Sequence, residues 1–158
     1  MDFVFDPTIG YEDLRWIRTQ WSGNLVVKGI QSVDDAIAAV EAGADALILS
    51  NHGGRQMDRS VVPYTLIPDV VAAVGKRAEV HMDTGIMHGG DVIAAVAAGA
   101  NFTWVGRAYL YGLMAGGRAG VDRALEILRT QMLRTMKLLG ARDLSELNPD
   151  HVSYLRKM

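Results

Sequence analysis

Short apolar runs alternate with longer segments in which apolar residues recur every three or four positions, and the alternation repeats four times. Leu25-Val26-Val27-Lys28, Ala46-Leu47-Ile48-Leu49-Ser50, Glu79 to Asp83 and Phe102-Thr103-Trp104-Val105 read as strands. The second is apolar enough to be buried on both faces, as in a parallel sheet. An Asp6-Pro7 turn leads into a helix from Tyr11 to Gln20, with Leu14, Ile17 and Arg18 at helical spacing and an end near Trp21-Ser22-Gly23. Ser32 suits an N-cap, and Asp34 and Asp35 stand in the first turn where the helix dipole favours them. That helix runs through Val33, Ile37 and Val40 to Gly43. Tyr64 to Val74 is predicted helical with Pro68 near its first turn, and His88 to Ala98 helical with a stop at Gly99. The longest helix spans Gly120 to Leu139, where Val121, Leu125, Leu128, Met132, Met136 and Leu139 share a face that reads as a core stripe. Asp143 to Glu146 and Asn148 to Tyr154 are predicted as short terminal helices.

Four strand–helix units in succession predict a parallel sheet with helical crossovers. No linker, charge run or low-complexity segment divides the chain, so residues 1–158 are read as one domain. Lys28, then Ser50 with His52, then Asp83, then Gly106 with Arg107 are each expected at the carboxyl end of a strand. In a (β/α)8 TIM barrel active sites lie there, and a phosphate site is commonly built from the loops after the last two strands. A full barrel takes ~250 residues, so four units make a half-barrel, closed off by terminal helices.

The densest chemistry lies in Ser50-Asn51-His52-Gly53-Gly54-Arg55-Gln56. Neutral imidazole accepts a proton near neutral pH, two adjacent glycines let the backbone approach a ligand, and the planar Arg fork pairs with two carboxylate oxygens. A base at His52 and an anion clamp at Arg55 suit removal of a proton from a substrate held by its carboxylate. Asp83-Thr84-Gly85-Ile86-Met87-His88 lies between a strand and a helix, where backbone N–H groups can converge on an anion. Arg107, just past Gly106, adds positive charge. No G-x-G-x-x-G occurs, and Asp91 stands where a P-loop needs Lys. Gly112, Gly116, Gly117 and Gly120 are expected to shape a loop and a helix start. His81 and His151 are read as structural, and His88 as a helix-start surface residue.

Ser-Asn-His-Gly-Gly-Arg-Gln-Met-Asp at positions 50 to 58 resembles the signature of the FMN-dependent α-hydroxy acid dehydrogenase and oxidase family, which includes lactate dehydrogenases, glycolate oxidases and mandelate dehydrogenases. The spacings from Lys28 to His52, Asp83 and Arg107 are similar to those of its carboxyl-terminal half, over nearly the whole chain. The resemblance implies oxidation of an L-2-hydroxy acid to the 2-oxo acid with FMN as cofactor. It casts His52 as catalytic base and Arg55, with His52, as the substrate site. Lys28 would sit by the pyrimidine edge of the flavin and Ser50 would be a second flavin contact. Asp83, Thr84, Gly85, Ile86, Met87, Gly106 and Arg107 would form the phosphate site. Many relatives carry two Arg where this chain has Met87 and His88, which leaves more to Arg107 and backbone amides. The stretch from Gly106 to Gly117 resembles lactate dehydrogenases most, making L-lactate the first substrate. The electron acceptor is oxygen, a quinone or a cytochrome. The substrate-facing tyrosines and the acid that orients the His come from the family's first half. The alternative is therefore a half-barrel that binds FMN or phosphate, or self-associates, without turnover. Phosphate-binding barrels at large share the two-loop site but do not explain Asn51 to Arg55.

Composition narrows the rest. Half of the residues are hydrophobic, and a net charge of −2 offers no basic footprint for nucleic acid. Absence of cysteine removes disulfides and thiolate metal sites, and the four histidines lack metal-ligand spacing. Met1 to Asp6 does not resemble a secretory signal. The expectation is a cytoplasmic protein, or one peripheral at a membrane surface, forming homo-oligomers through its open sheet edges.

Overall fold

The computed structural model describes residue 6 and residues 8–153. Of the predicted elements, Pro7 and Tyr154 lie outside the described residues. Four parallel strands, β1 (Val26–Ile30), β2 (Ala46–Leu49), β3 (Glu79–Met82) and β4 (Phe102–Thr103), stand side by side in chain order. Helices α1 (Tyr11–Gln20), α2 (Val33–Glu41), α3 (Pro63–Val74), α4 (Gly89–Ala97) and α5 (Arg107–Leu139) accompany them, followed by 3-10 turns at Leu144–Glu146 and Pro149–His151. The expectation of a half-barrel holds: the fold is α/β, with the sheet open at β1 and β4.

Strand alternation sorts the side chains. Leu47, Leu49, Val80 and Met82 point to the helices and, with Ile67, Val70 and Val74 of α3, form the main core. Leu47, Leu49, Ile67 and Val70 are fully buried, and each contributes about 1.5–3 kcal/mol of apolar burial. The opposite, concave face carries Lys28, Ile48, His81 and Trp104. On it the His81 ring accepts the Trp104 indole N–H at 3.3 Å and pairs with Glu79 at 2.9 Å, the structural role expected of it. A second cluster joins Ile93 and Ala97 of α4 to Met136 and Leu147.

Caps behave as the residue types dictate. Ser32 accepts the Asp35 N–H, and Asp35 in turn accepts the Tyr11 hydroxyl at 2.6 Å, tying α1 to α2. Arg18 ties α1 to the turn before β2, donating to Asp45 at 2.8 Å. Several boundaries differ from expectation. Lys28 is not at a strand end: β1 continues to Ile30 through an irregularity at Gly29, whose φ of +104° lets the strand step past one residue. Pro63, not Pro68, occupies the first turn of α3, and Pro68 lies inside the helix. β4 stops at Thr103 because only His81 and Met82 face it. The long helix begins at Arg107, not Gly120, and breaks at Gly116-Gly117. There Gly112 and Gly120 meet where two helical segments touch, and a Cβ on either would overlap the carbonyl of the other. In the expected core stripe Leu128 and Met136 are buried, whereas Leu125 is exposed.

Candidate active site

Loops following β2, β3 and β4 meet beside β1 around an open cavity of about 770 Å³. His52, Arg55, Lys28, Asp83, Thr84, Gly85, Ile86, Met87, Gly106 and Arg107 all line it, so every site residue expected from sequence except Ser50 reaches one pocket. Ser50 is fully buried beneath it. Its hydroxyl accepts from Lys28 Nζ at 3.0 Å and from the His52 N–H at 3.0 Å, so it braces two pocket residues without lining the pocket itself.

The loop that carries His52 is a left-handed turn. His52, Gly53 and Gly54 have φ of 56°, 70° and 71°. Such values are free for glycine, but a histidine holds one only where its surroundings enforce it. Three side chains do so. Besides Ser50, Asn51 Oδ1 accepts the Gly54 N–H at 3.0 Å and Thr84 Oγ1 accepts the Gly53 N–H at 3.2 Å. Arg107 donates to the Gly53 carbonyl at 2.6 Å, and a Cβ at position 53 would meet that guanidinium. On the other side Gly29 faces the imidazole, where a Cβ would lie 3.1 Å from His52 Cε1. His52 therefore stands in a slot made by a β1 irregularity and a clamped turn. Arg55 is exposed on the pocket wall and has no hydrogen-bond or ion-pair partner among the described residues. Its five donors are available to a ligand carboxylate.

Lys28 spans the pocket between Asp83 (2.8 Å) and Ser50. Burial by itself would raise the Asp83 carboxyl, but hydrogen bonds from Lys28, Ser50 and Thr84 outweigh it and hold the group below the usual carboxylate range. Asp83 therefore stays ionised and holds the Lys28 ammonium in place. The anion cradle is narrower than expected. The Met87 and His88 amides both donate to Asp91, at 2.9 and 2.8 Å, and the Gly89 and Gly90 amides to Gln131 and His88 Nδ1. Met87 thus lines the pocket without an amide to offer. The Thr84, Gly85 and Ile86 amides have no acceptor among the described residues, and neither have those of Arg107, Ala108 and Tyr109 at the start of α5. His88 is the exposed N-cap of α4, as expected, and His151 caps its own turn through Asn148.

Sequence reasoning missed Gly29, Trp104, Tyr109, Tyr111 and Met114. Gly29 adjoins Lys28 inside an apolar run, where a glycine often marks a bulge. No local signal distinguished the aromatic residues from core.

An imidazole, an unpartnered guanidinium, a fixed ammonium and an open helix start line one pocket, an arrangement able to accept a proton and to hold anionic groups. The FMN-dependent dehydrogenase family matches residues 1–154, and the chain belongs to that family. It is 58% identical over all 158 residues to a Mycobacterium tuberculosis H37Rv protein described as "Putative L-lactate dehydrogenase", of which it covers 38%. It is 44% identical over 146 residues (92% of this chain, 38% of the relative) to the L-lactate dehydrogenase of Allorhizobium ampelinum. The crystal structure of (S)-mandelate dehydrogenase, a monotopic membrane protein, superposes with TM-score 0.90 at 41% identity, covering 94% of this chain and 39% of that one. A mutant flavocytochrome b2 with pyruvate bound gives 0.88 at 36% identity, covering 92% and 39%. The chain thus spans under two-fifths of the length of these relatives. Among the described residues no helix is long and apolar enough to cross a membrane.

FMN is the cofactor of this family, and the residues present fit it. The cavity has the size of a cofactor pocket. Unsatisfied amides with Arg107 offer donors to a phosphate, Lys28 offers a cation to an electron-rich ring edge, and Ile48, Ile86 and Trp104 offer apolar surface.

Proposed function

We propose that this chain supplies the cofactor-binding and catalytic half of an FMN-dependent L-2-hydroxy acid dehydrogenase or oxidase, with L-lactate as substrate. The observation that carries this reading is the convergence of Lys28 from β1, His52 and Arg55 from the loop after β2, and Arg107 from the start of α5 on one cavity. When bound, FMN supplies the acceptor for the two electrons that leave the substrate α-carbon. His52 takes the substrate proton on its imidazole. Arg55 pairs with the carboxylate and orients the substrate against the base. Lys28, held by Asp83 and Ser50, keeps a fixed positive charge where negative charge develops. Arg107, Gly106 and the amides of Thr84, Gly85 and Ile86 hold the phosphate, with Met87 as an apolar wall. L-lactate is favoured by the L-lactate dehydrogenases among the relatives, and the pyruvate held by the flavocytochrome is the corresponding 2-oxo acid. The electrons pass on to oxygen, a quinone or a cytochrome, in the cytoplasm or at a membrane surface.

Rapid-mixing measurement of flavin bleaching by L-lactate tests the assignment in the protein that carries this chain. His52→Ala abolishes reduction while FMN stays bound, because the base is lost and the cofactor contacts are not. Wild-type reduction in that variant sinks the base role. Arg55→Lys raises KM and slows reduction together, since charge remains but the bidentate fork does not. Unchanged constants would make Arg55 a surface charge.

A second reading, a half-barrel that self-associates without turnover, is favoured by the open sheet edges and the exposed concave face, with Phe102 53% and Trp104 44% accessible. For the 158-residue chain alone, dimers or larger species in sedimentation and no lactate-dependent dye reduction are expected. A monomer that turns over lactate would exclude this reading.

A further inference from the structure

Thr84 has a φ of 73°, a left-handed backbone that a β-branched side chain adopts only when its surroundings compensate. Glycine would take the same conformation without steric cost, so the backbone alone gives no reason for threonine. Its hydroxyl supplies one. Thr84 Oγ1 donates to Asp83 Oδ1 at 2.8 Å and accepts the Gly53 N–H at 3.2 Å. That N–H belongs to the peptide joining His52 to Gly53, so the bond grips the backbone that carries the imidazole. The neighbouring amides of the turn are closed by its own loop, through Ser50 and Asn51. Among the described residues Thr84 is the one acceptor for this turn's amides that comes from another loop, 31 residues away. Its hydroxyl hydrogen is committed to Asp83, which leaves a lone pair facing Gly53.

We propose that Thr84 is a positioning residue for His52: its hydroxyl, oriented by Asp83, fixes the His52–Gly53 peptide and thereby aims the imidazole at the substrate. Through its hydroxyl Thr84 governs the rate of proton removal, whereas its part in the phosphate cradle is the backbone amide, which substitution of the side chain keeps. The proposal rests on the reading of His52 as the base.

Thr84→Gly removes the hydroxyl and relieves the strained φ, so the loop can keep its path. Thr84→Ser keeps the hydroxyl. Both are made in the FMN-loaded protein that carries this chain, and amide hydrogen exchange across residues 51–56 is measured beside flavin reduction by L-lactate, KM and FMN dissociation. In Thr84→Gly, exchange at Gly53 rises about 10-fold, as loss of one hydrogen bond implies. The reduction rate of the protein, kept saturated with FMN according to its measured dissociation, falls about as much, while KM stays within about 2-fold of wild type. Thr84→Ser restores both exchange and rate. Unchanged exchange, an unchanged reduction rate, or failure of serine to rescue overturns the proposal. A parallel His52→Ala protein separates the two levels. Slow reduction there with a silent Thr84→Gly overturns the Thr84 role alone, whereas wild-type reduction there overturns the base assignment and this proposal with it.

Discussion

The amino ends of α4 and α5 border the same pocket, each just past a β strand, yet they treat their backbone donors in opposite ways. At α4 the third helical residue is Asp91, whose carboxylate takes the Met87 and His88 amides, while Gln131 and His88 take the next two. This is a capping box with an acidic partner, and it leaves no donor and a negative charge where an anion would have to sit. At α5 the N-cap is Gly106, no side chain caps the first turn, and Arg107 adds a cation. The two helix starts thus differ in how their amides are closed, and the capped end serves stability while the open end can serve a ligand.

The contrast can be broken most directly at Arg107. Arg107→Met removes a charged donor and should weaken FMN binding by about 10- to 100-fold, since hydrogen bonds to charged groups contribute about 1.5–3 kcal/mol. Fluorescence titration of the apoprotein with FMN measures it, and an affinity within about 3-fold of wild type would put the phosphate elsewhere. At the other end, Asp91→Ala should cost about 1 kcal/mol of stability in urea unfolding, the usual value of a lost cap, with FMN affinity little changed. A large affinity change would mean that α4 shares the anion site. Met87→Arg restores positive charge beside the sealed end. It should improve FMN affinity about 2- to 5-fold at low ionic strength, with the gain fading in high salt, as for an exposed charge; a gain that survives high salt would argue for a direct contact. The smallest effect comes from Asp83, which opens the loop to α4. Its carboxyl is depressed in the fold, so its contribution to stability is complete above the ordinary value of 3.8 and is lost as pH falls below it. Acid unfolding of Asp83→Asn against wild type should therefore diverge above about pH 4 and converge below it. A constant difference down to pH 2 would count against the Lys28–Asp83 pair.

Much of the fold was legible because the signals are local. The four strands, α1 to α4 within two residues, and the Ser32 cap follow from apolar period and cap chemistry. His52 and Arg55 were legible because Asn-His-Gly-Gly-Arg puts a base, a flexible backbone and a fork in five positions. The start of α5 was not. Gly112, Gly116, Gly117 and Gly120 lower helix propensity and read as loop, but two of them are the contact surface of paired helical segments, and packing overrode propensity.

By itself the sequence determined the order of strands and helices, the residue types available for proton transfer and anion binding, and their placement near the carboxyl ends of the strands. Periodicity and spacing act over a few residues, and those facts are carried there. Only the tertiary structure decided that Ser50 braces Lys28 from beneath, that Asp91 closes one helix start while another stays open, and that Thr84 and Arg107 grip Gly53 from 31 and 54 residues away. Those contacts depend on which loops the parallel sheet brings side by side, and no local pattern encodes the distance between loops.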